Sequence, residues 1–281
     1  MNSSQPIGIF DSGIGGLTVA HAIVQALPTE DIIYFGDTAH LPYGDKSAET
    51  IQTYALAITQ LLLKKQCKLI LIACNSASAA AYQTVKNYVG NQAIVLNVID
   101  PMISHLNQQI NNQKKYNKIG LIGTRQTVTS NIYQKKIAAA GININLISRT
   151  TNLLASAIEE FGNHSIINNL IDAYLSDENF HDIEALILAC THYPIIKNKI
   201  SEFFKNKFKH NIDIIDASEI VARATKNILQ DKNLLKTSGN GSQHFYVSDY
   251  TDSFVINAKK FFSENIKLEH YPLTESMEII T

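Results

Sequence analysis

The chain has 281 residues, 45% of them hydrophobic, and a formal charge of -1, with 24 basic side chains against 25 acidic ones. That length exceeds the roughly 100 to 150 residues of a common single domain and suits two α/β lobes with a cleft between them. The near balance of charge gives no support to a polyanion or a membrane surface, so neither nucleic acid nor membrane is expected as a partner.

The opening MNSSQPIGIFDSG has no basic segment leading into an apolar stretch, and no apolar run approaches the roughly 20 residues of a membrane span. A cytoplasmic location is expected. The first strand, IGIF (7–10), runs into the loop DSGIGG (11–16), which sets Asp11 and Ser12 at a strand end, with glycines that allow close backbone approach. A dinucleotide fingerprint is the rival reading, because Asp37 closes the next strand about 20 residues on, as that motif requires. Two features oppose it: Thr18 stands where the last glycine or alanine belongs, and Asp11 puts negative charge where a pyrophosphate would lie. A plain tight turn is the third possibility.

After the second strand, DIIYFG (31–36), comes DTAHLPYG (37–44), which taken alone reads as a surface loop around Tyr43 and Gly44. A helix is expected over 47–65 from the cap Ser47, then the strand LILIA (69–73), ending at Cys74, Asn75 and Ser76. AIVLNVI (93–99) follows, and VIDPMIS (98–104) breaks the pattern with a proline where the chain is expected to pass to a second lobe. That lobe's strands are KIGLIG (118–123), INLIS (144–148) and ALILA (185–189), with a helix over 152–161 that Gly162 terminates. IDIID (212–216), a helix over 218–229 opened by Ser218, and HFYVS (244–248) complete the set, and LKTSGNGSQ (235–243) reads as a mobile connection.

Strands alternating with helices imply mostly parallel sheets covered by helices. The boundaries expected are 1–98 with 211–281 for the first lobe and 99–210 for the second. KLILIACNS (68–76) and EALILACTH (184–192) have the same form, and PIGIFDSGIGG (6–16) corresponds to KIGLIGTRQT (118–127). We read an internal duplication: two similar doubly wound lobes, each delivering a cysteine from the carboxyl end of a strand.

Three cysteines without an export signal argue against a disulfide framework, and their spacing, with no neighbouring zinc pattern, gives no metal site. A free cysteine is more often a core residue than a nucleophile, which is the reading for Cys67. Cys74 and Cys190 differ in being paired across a cleft and followed at once by polar groups: Asn75 and Ser76, and Thr191 and His192.

In order and spacing, DSGIGGL, DTAHLPYG, ACNSAS and CTHYP resemble the motifs of the glutamate racemase family, cofactor-independent amino-acid racemases. The resemblance implies two α/β lobes around glutamate, no cofactor and no metal, often a homodimer, and a supply of D-glutamate for peptidoglycan. It also implies that Cys74 and Cys190 are the two acid/base thiols, Cys74 serving the D-enantiomer and Cys190 the L-enantiomer. Asp11 would assist Cys74, and His192, with Glu159 or Glu160, would assist Cys190. Ser12, Tyr43, Gly44, Asn75, Ser76, Thr191 and His192, with Asp11, fall where the family binds substrate. Ser76 and Ala189 depart from the family's usual threonine and glycine: the first keeps a hydroxyl, the second is expected to narrow the pocket.

Two thiols suit such chemistry because a proton must leave one face of the α-carbon and another return to the opposite face. Helix N-termini after each cysteine are expected to hold carboxylates. The alternatives are an aspartate racemase or related α-proton enzyme of the superfamily, and a binding module that keeps the fold without turnover.

Overall fold

Buried aliphatic runs become the strands of two parallel sheets in a computed structural model describing residues 1–112, 116–162, 164–263 and 265–273. The first sheet holds β1 (Ile7–Asp11), β2 (Ile32–Gly36), β3 (Leu69–Ile72) and β4 (Ile94–Asn97), with β9 (Gln243–Val247) and β10 (Leu268–His270) added beyond β2. The second holds β5 (Lys118–Gly123), β6 (Asn145–Thr150), β7 (Ala185–Ala189) and β8 (Asp213–Asp216). Their orders are β10-β9-β2-β1-β3-β4 and β6-β5-β7-β8. Each sheet therefore contains the same second-first-third-fourth order, as the duplicated sequence implies.

Strand alternation decides which side chains meet. Leu69 and Leu71 enter one apolar cluster while Ile70 and Ile72 enter another with Phe10, beneath α2 (Ala48–Lys64) and α3 (Asn75–Val89). Ser47 caps α2 by accepting the Thr50 N–H at 3.2 Å. Pro101 does not end the pattern, because α4 (Ile99–Asn111) begins there and the ring sits in its first turn, where no N–H is needed. Thus the crossing to the second sheet starts with a helix.

The return to the first sheet lies after Asp216, not near residue 210. β8 pairs in parallel with β7, from Asp213 beside Ala185 to Asp216 beside Leu188, so this strand belongs to the second sheet. Then α10 (Ala217–Asp231) packs on α1 (Leu17–Ala26) and α4. Its cap is Asp216, whose carboxylate accepts the Ser218 N–H at 3.1 Å, and not Ser218 itself. The segment 235–243 is tied down and already contains the start of β9: Lys236 N donates to Glu30, and Ser242 donates to Asp31 through N–H and hydroxyl. Gly241 passes so near that a Cβ there would lie 2.1 Å from the Glu30 carbonyl oxygen. β10 is a three-residue edge strand, too short to announce itself by period. Among the described residues no helix is long and apolar enough to cross a membrane.

Candidate active site

In doubly wound sheets a ligand crevice opens where the strand order reverses, beyond the carboxyl ends. Here the reversals lie between β1 and β3 and between β5 and β7. Asp11 ends β1 and Cys74 follows β3; Thr124 follows β5 and Cys190 follows β7. Each thiol therefore stands at a switch point, and the two switch points meet, with Thr191 beside Cys190 donating to Asp11 and Ser76 near Cys74 sharing a hydrogen bond with Thr124.

Cys74 is buried at the N-cap of α3, and its thiol donates to Ser12 Oγ at 3.6 Å. Burial pushes that thiol up to about 12, and the Asp11 carboxylate adds to the rise against the opposing Ala77 N–H and Ser12 hydroxyl. Asp11 is fully buried and its own acidity is weakened, first by desolvation. One oxygen accepts the Gly13 and Gly16 N–H groups at 3.1 and 3.0 Å, and the other accepts the Thr191 hydroxyl at 3.5 Å. The loop amides that would cradle a pyrophosphate are thus satisfied from inside. Asp37 is likewise occupied, accepting from Tyr43 at 2.5 Å and Ser248 at 2.7 Å and pairing with His40 at 2.8 Å. Both observations remove the footing of the dinucleotide reading.

Cys190 Sγ lies 3.6 Å from His192 Nδ1, and the other ring nitrogen lies 2.5 Å from Glu159 Oε1. Burial, the largest influence, pulls the imidazole's pKa down, but hydrogen bonds to Cys190 and Glu159 and their charges prevail and hold it well above its ordinary value. Phe261 packs edge-on against the ring at 5.3 Å and restrains its tilt. Glu159, not Glu160, makes the contact; Glu160 lies exposed on the next position of α7 (Leu154–Phe161). No helix opens directly after Cys190, unlike after Cys74. A single turn spans Tyr193–Ile196, where Pro194 offers no N–H, and α9 (Lys197–Lys207) starts only at Lys197.

The remaining polar residues converge from both lobes. Tyr43 is buried rather than on a surface loop, its hydroxyl spent on Asp37. Gly44 abuts Thr124 so closely that a Cβ would lie 2.7 Å from that side chain. Ser76 and Thr124 share a hydroxyl hydrogen bond of 2.8 Å, and Asn75 Oδ1 accepts the Tyr133 hydroxyl at 2.8 Å. Ser12, Gly13, Gly44, Thr124, Glu159 and His192 are among the residues lining a cavity of about 190 Å³. Ala189 is not among them; its methyl group lies beside Gly123 of β5. A larger groove of about 760 Å³ lies between α1 and α10; neither thiol lines it, and neither lines the smaller cavity, whose wall carries their partners Ser12 and His192 instead. Among the described residues no group of three His, Cys, Asp or Glu side chains is arranged to hold a metal ion.

Thr124 and Tyr133 escaped the sequence reading. The first had a signal: aligning IGIFDS with IGLIGT sets Thr124 opposite Ser12. Tyr133 had none, since nothing near it repeats or departs from helical pattern.

The Asp/Glu/Hydantoin racemase family profile matches residues 7–225. A glutamate racemase of Chlorobium phaeobacteroides is 39% identical over 263 residues, 93% of each chain. The crystal structure of glutamate racemase from Francisella tularensis in complex with D-glutamate superposes with a TM-score of 0.87 at 37% identity, covering 97% of this chain and 99% of that one. Glutamate racemase isoform RacE1 from Bacillus anthracis gives 0.87 at 30% identity over 97% and 99%.

Proposed function

Because the chain belongs to the Asp/Glu/Hydantoin racemase family, we propose that it interconverts L- and D-glutamate with two thiols acting in turn as base and acid. The observation that carries this reading is the placement of Cys74 and Cys190 at equivalent strand ends of two like sheets, each beside its own polar assistant. One thiol takes the α-proton from one face while the other returns a proton to the opposite face, and the roles exchange with the direction of turnover.

The two sides are differently equipped. His192, its basicity raised by its hydrogen bonds to Cys190 and Glu159, is suited to exchange a proton with Cys190. Cys74 is held as a neutral thiol in the free enzyme by burial and by Asp11. An incoming α-ammonium would bring positive charge beside Asp11 and ease loss of the Cys74 proton. Asp11 then acts through charge and through its grip on the 13–16 loop, with Ser12 as the thiol's direct partner. The N-terminus of α3, with the Asn75, Ser76 and Thr191 side chains and the Tyr43–Gly44 backbone, supplies donors for the two carboxylates. The product would serve peptidoglycan precursor synthesis in the cytoplasm.

Incubating the reduced, folded protein with L-glutamate in heavy water tests substrate and chemistry together. Exchange of the α-proton by NMR, with loss of optical rotation, is expected. A silent spectrum would overturn racemisation, and faster exchange of L-aspartate in a parallel sample would overturn glutamate as the substrate.

A further inference from the structure

We propose that Tyr133 is a positioning residue for Asn75: its buried hydroxyl, reaching across from the other lobe, fixes which end of the Asn75 amide faces the substrate. This rests on the reading above, in which the Asn75 amide donates to a substrate carboxylate. Tyr133 stands on α6 (Ile132–Ala139), between β5 and β6 in the second lobe, and Asn75 is the first residue of α3 in the first. They are 58 positions apart, both buried, and joined at 2.8 Å with the phenol donating to Oδ1.

A side-chain amide has one accepting and one donating end, and only the donating end suits a carboxylate. With Oδ1 holding the phenol proton, both hydrogens on Nδ2 are left for an acceptor outside this pair. Flipping the amide would strip the buried phenol proton of its acceptor and turn an oxygen toward the anion, two costs of the same sign. Burial pushes the phenol's pKa well above its ordinary value, so it stays a donor throughout the working pH range. The bond also crosses between lobes, so the amide is set only when the lobes are together. A tyrosine that merely filled space there would not need its hydroxyl on this atom.

Steady-state kinetics in both directions on Tyr133→Phe, Asn75→Ala and the double variant test the assignment, with thermal melts as a fold control. Tyr133→Phe is expected to raise KM for both enantiomers roughly five- to tenfold, the effect of one buried hydrogen bond, with kcat little changed. In the Asn75→Ala background it should add nothing, because its effect runs through Asn75. An unchanged KM in Tyr133→Phe, or an equal further penalty in the double variant, would remove the assignment while leaving Asn75 as a substrate contact. If Asn75→Ala itself keeps the wild-type KM, the underlying contact is wrong and both fall. Should the phenylalanine variant melt early, 15N NMR of the Asn75 side-chain amide at low temperature decides: its two proton signals must shift when the phenol is removed.

Discussion

At Gly15 a side chain has nowhere to go: a Cβ would stand 2.4 Å from His192 Cε1 and 2.6 Å from the Thr191 hydroxyl. Gly15→Ala should therefore push the imidazole off Cys190 and lower kcat/KM by roughly 100-fold, as about an ångström of misplacement does. Its Tm should fall much less than that, since the strain is local. Each thiol is equally exposed to test. Cys74→Ala and Cys190→Ala are each expected to cut racemisation by at least about 100-fold, the scale of a lost acid/base group; near-native turnover in either would sink the two-base mechanism. Glu159→Gln removes the charge that helps keep His192 protonated, so the imidazole pKa, followed by NMR, should drop. The sign for stability follows from the raised folded value. The contribution is fully present below the unfolded pKa of about 6.5 and is lost as pH rises through the folded one. The stability gap between wild type and Glu159→Gln in urea melts should thus be wider at about pH 6 than at alkaline pH, shrinking as pH rises through the raised pKa of His192.

Among the elements, β3 shows how an ion pair secures a strand whose other end carries chemistry. Lys68, just before β3, is fully buried; its ammonium lies 2.5 Å from Glu30 and 2.7 Å from the Ser3 carbonyl, and Glu30 also accepts the Lys236 N–H. The pair joins the N-terminal segment, the turn before β2 and the approach to β9. Lys68→Met leaves Glu30 buried without its cation and should cost about 3 to 5 kcal/mol in urea melts, whereas Lys68→Met with Glu30→Gln should recover a large part. Because Cys74 lies roughly 20 Å further along the chain at about 3.3 Å per residue, kcat of the folded fraction should not change in either variant. Loss of activity with intact stability would show that the two ends of β3 are not independent. Helix boundaries follow the same local chemistry, with Ser47 capping α2 and Gly162, at φ 55°, ending α7.

At the scale of the whole molecule, the hydrogen bonds that close the cleft among the described residues include Thr191 to Asp11, Thr18 to the Thr191 carbonyl, Tyr133 to Asn75, and Ser76 with Thr124. A substrate held by both lobes adds to that closure and binds only the folded chain. At 100 times Kd it should stabilise by about 2.7 kcal/mol, so D-glutamate is expected to raise the melting temperature by several degrees. No shift at saturating D-glutamate would argue that the cleft is not its site.

Local pattern in the sequence was enough for nine strands, the duplication and the resemblance that marked both cysteines, because period, caps and strand-end composition are properties of short stretches. It did not reveal that 212–216 pairs with β7, that α10 is capped by Asp216, or that the turn after Cys190 delays α9. Pairing partners are set by non-local packing, which no window of sequence contains. Nor did it choose between Glu159 and Glu160: neighbours on a helix differ by about 100° in direction, and only the packed α7 decides which carboxylate meets His192. The chain's pattern determined two repeated sheets with a thiol at each third strand and His192 beside Cys190; the tertiary structure decided that Ser12 stands against Cys74 and Glu159 against His192, since those contacts join residues 62 and 33 positions apart.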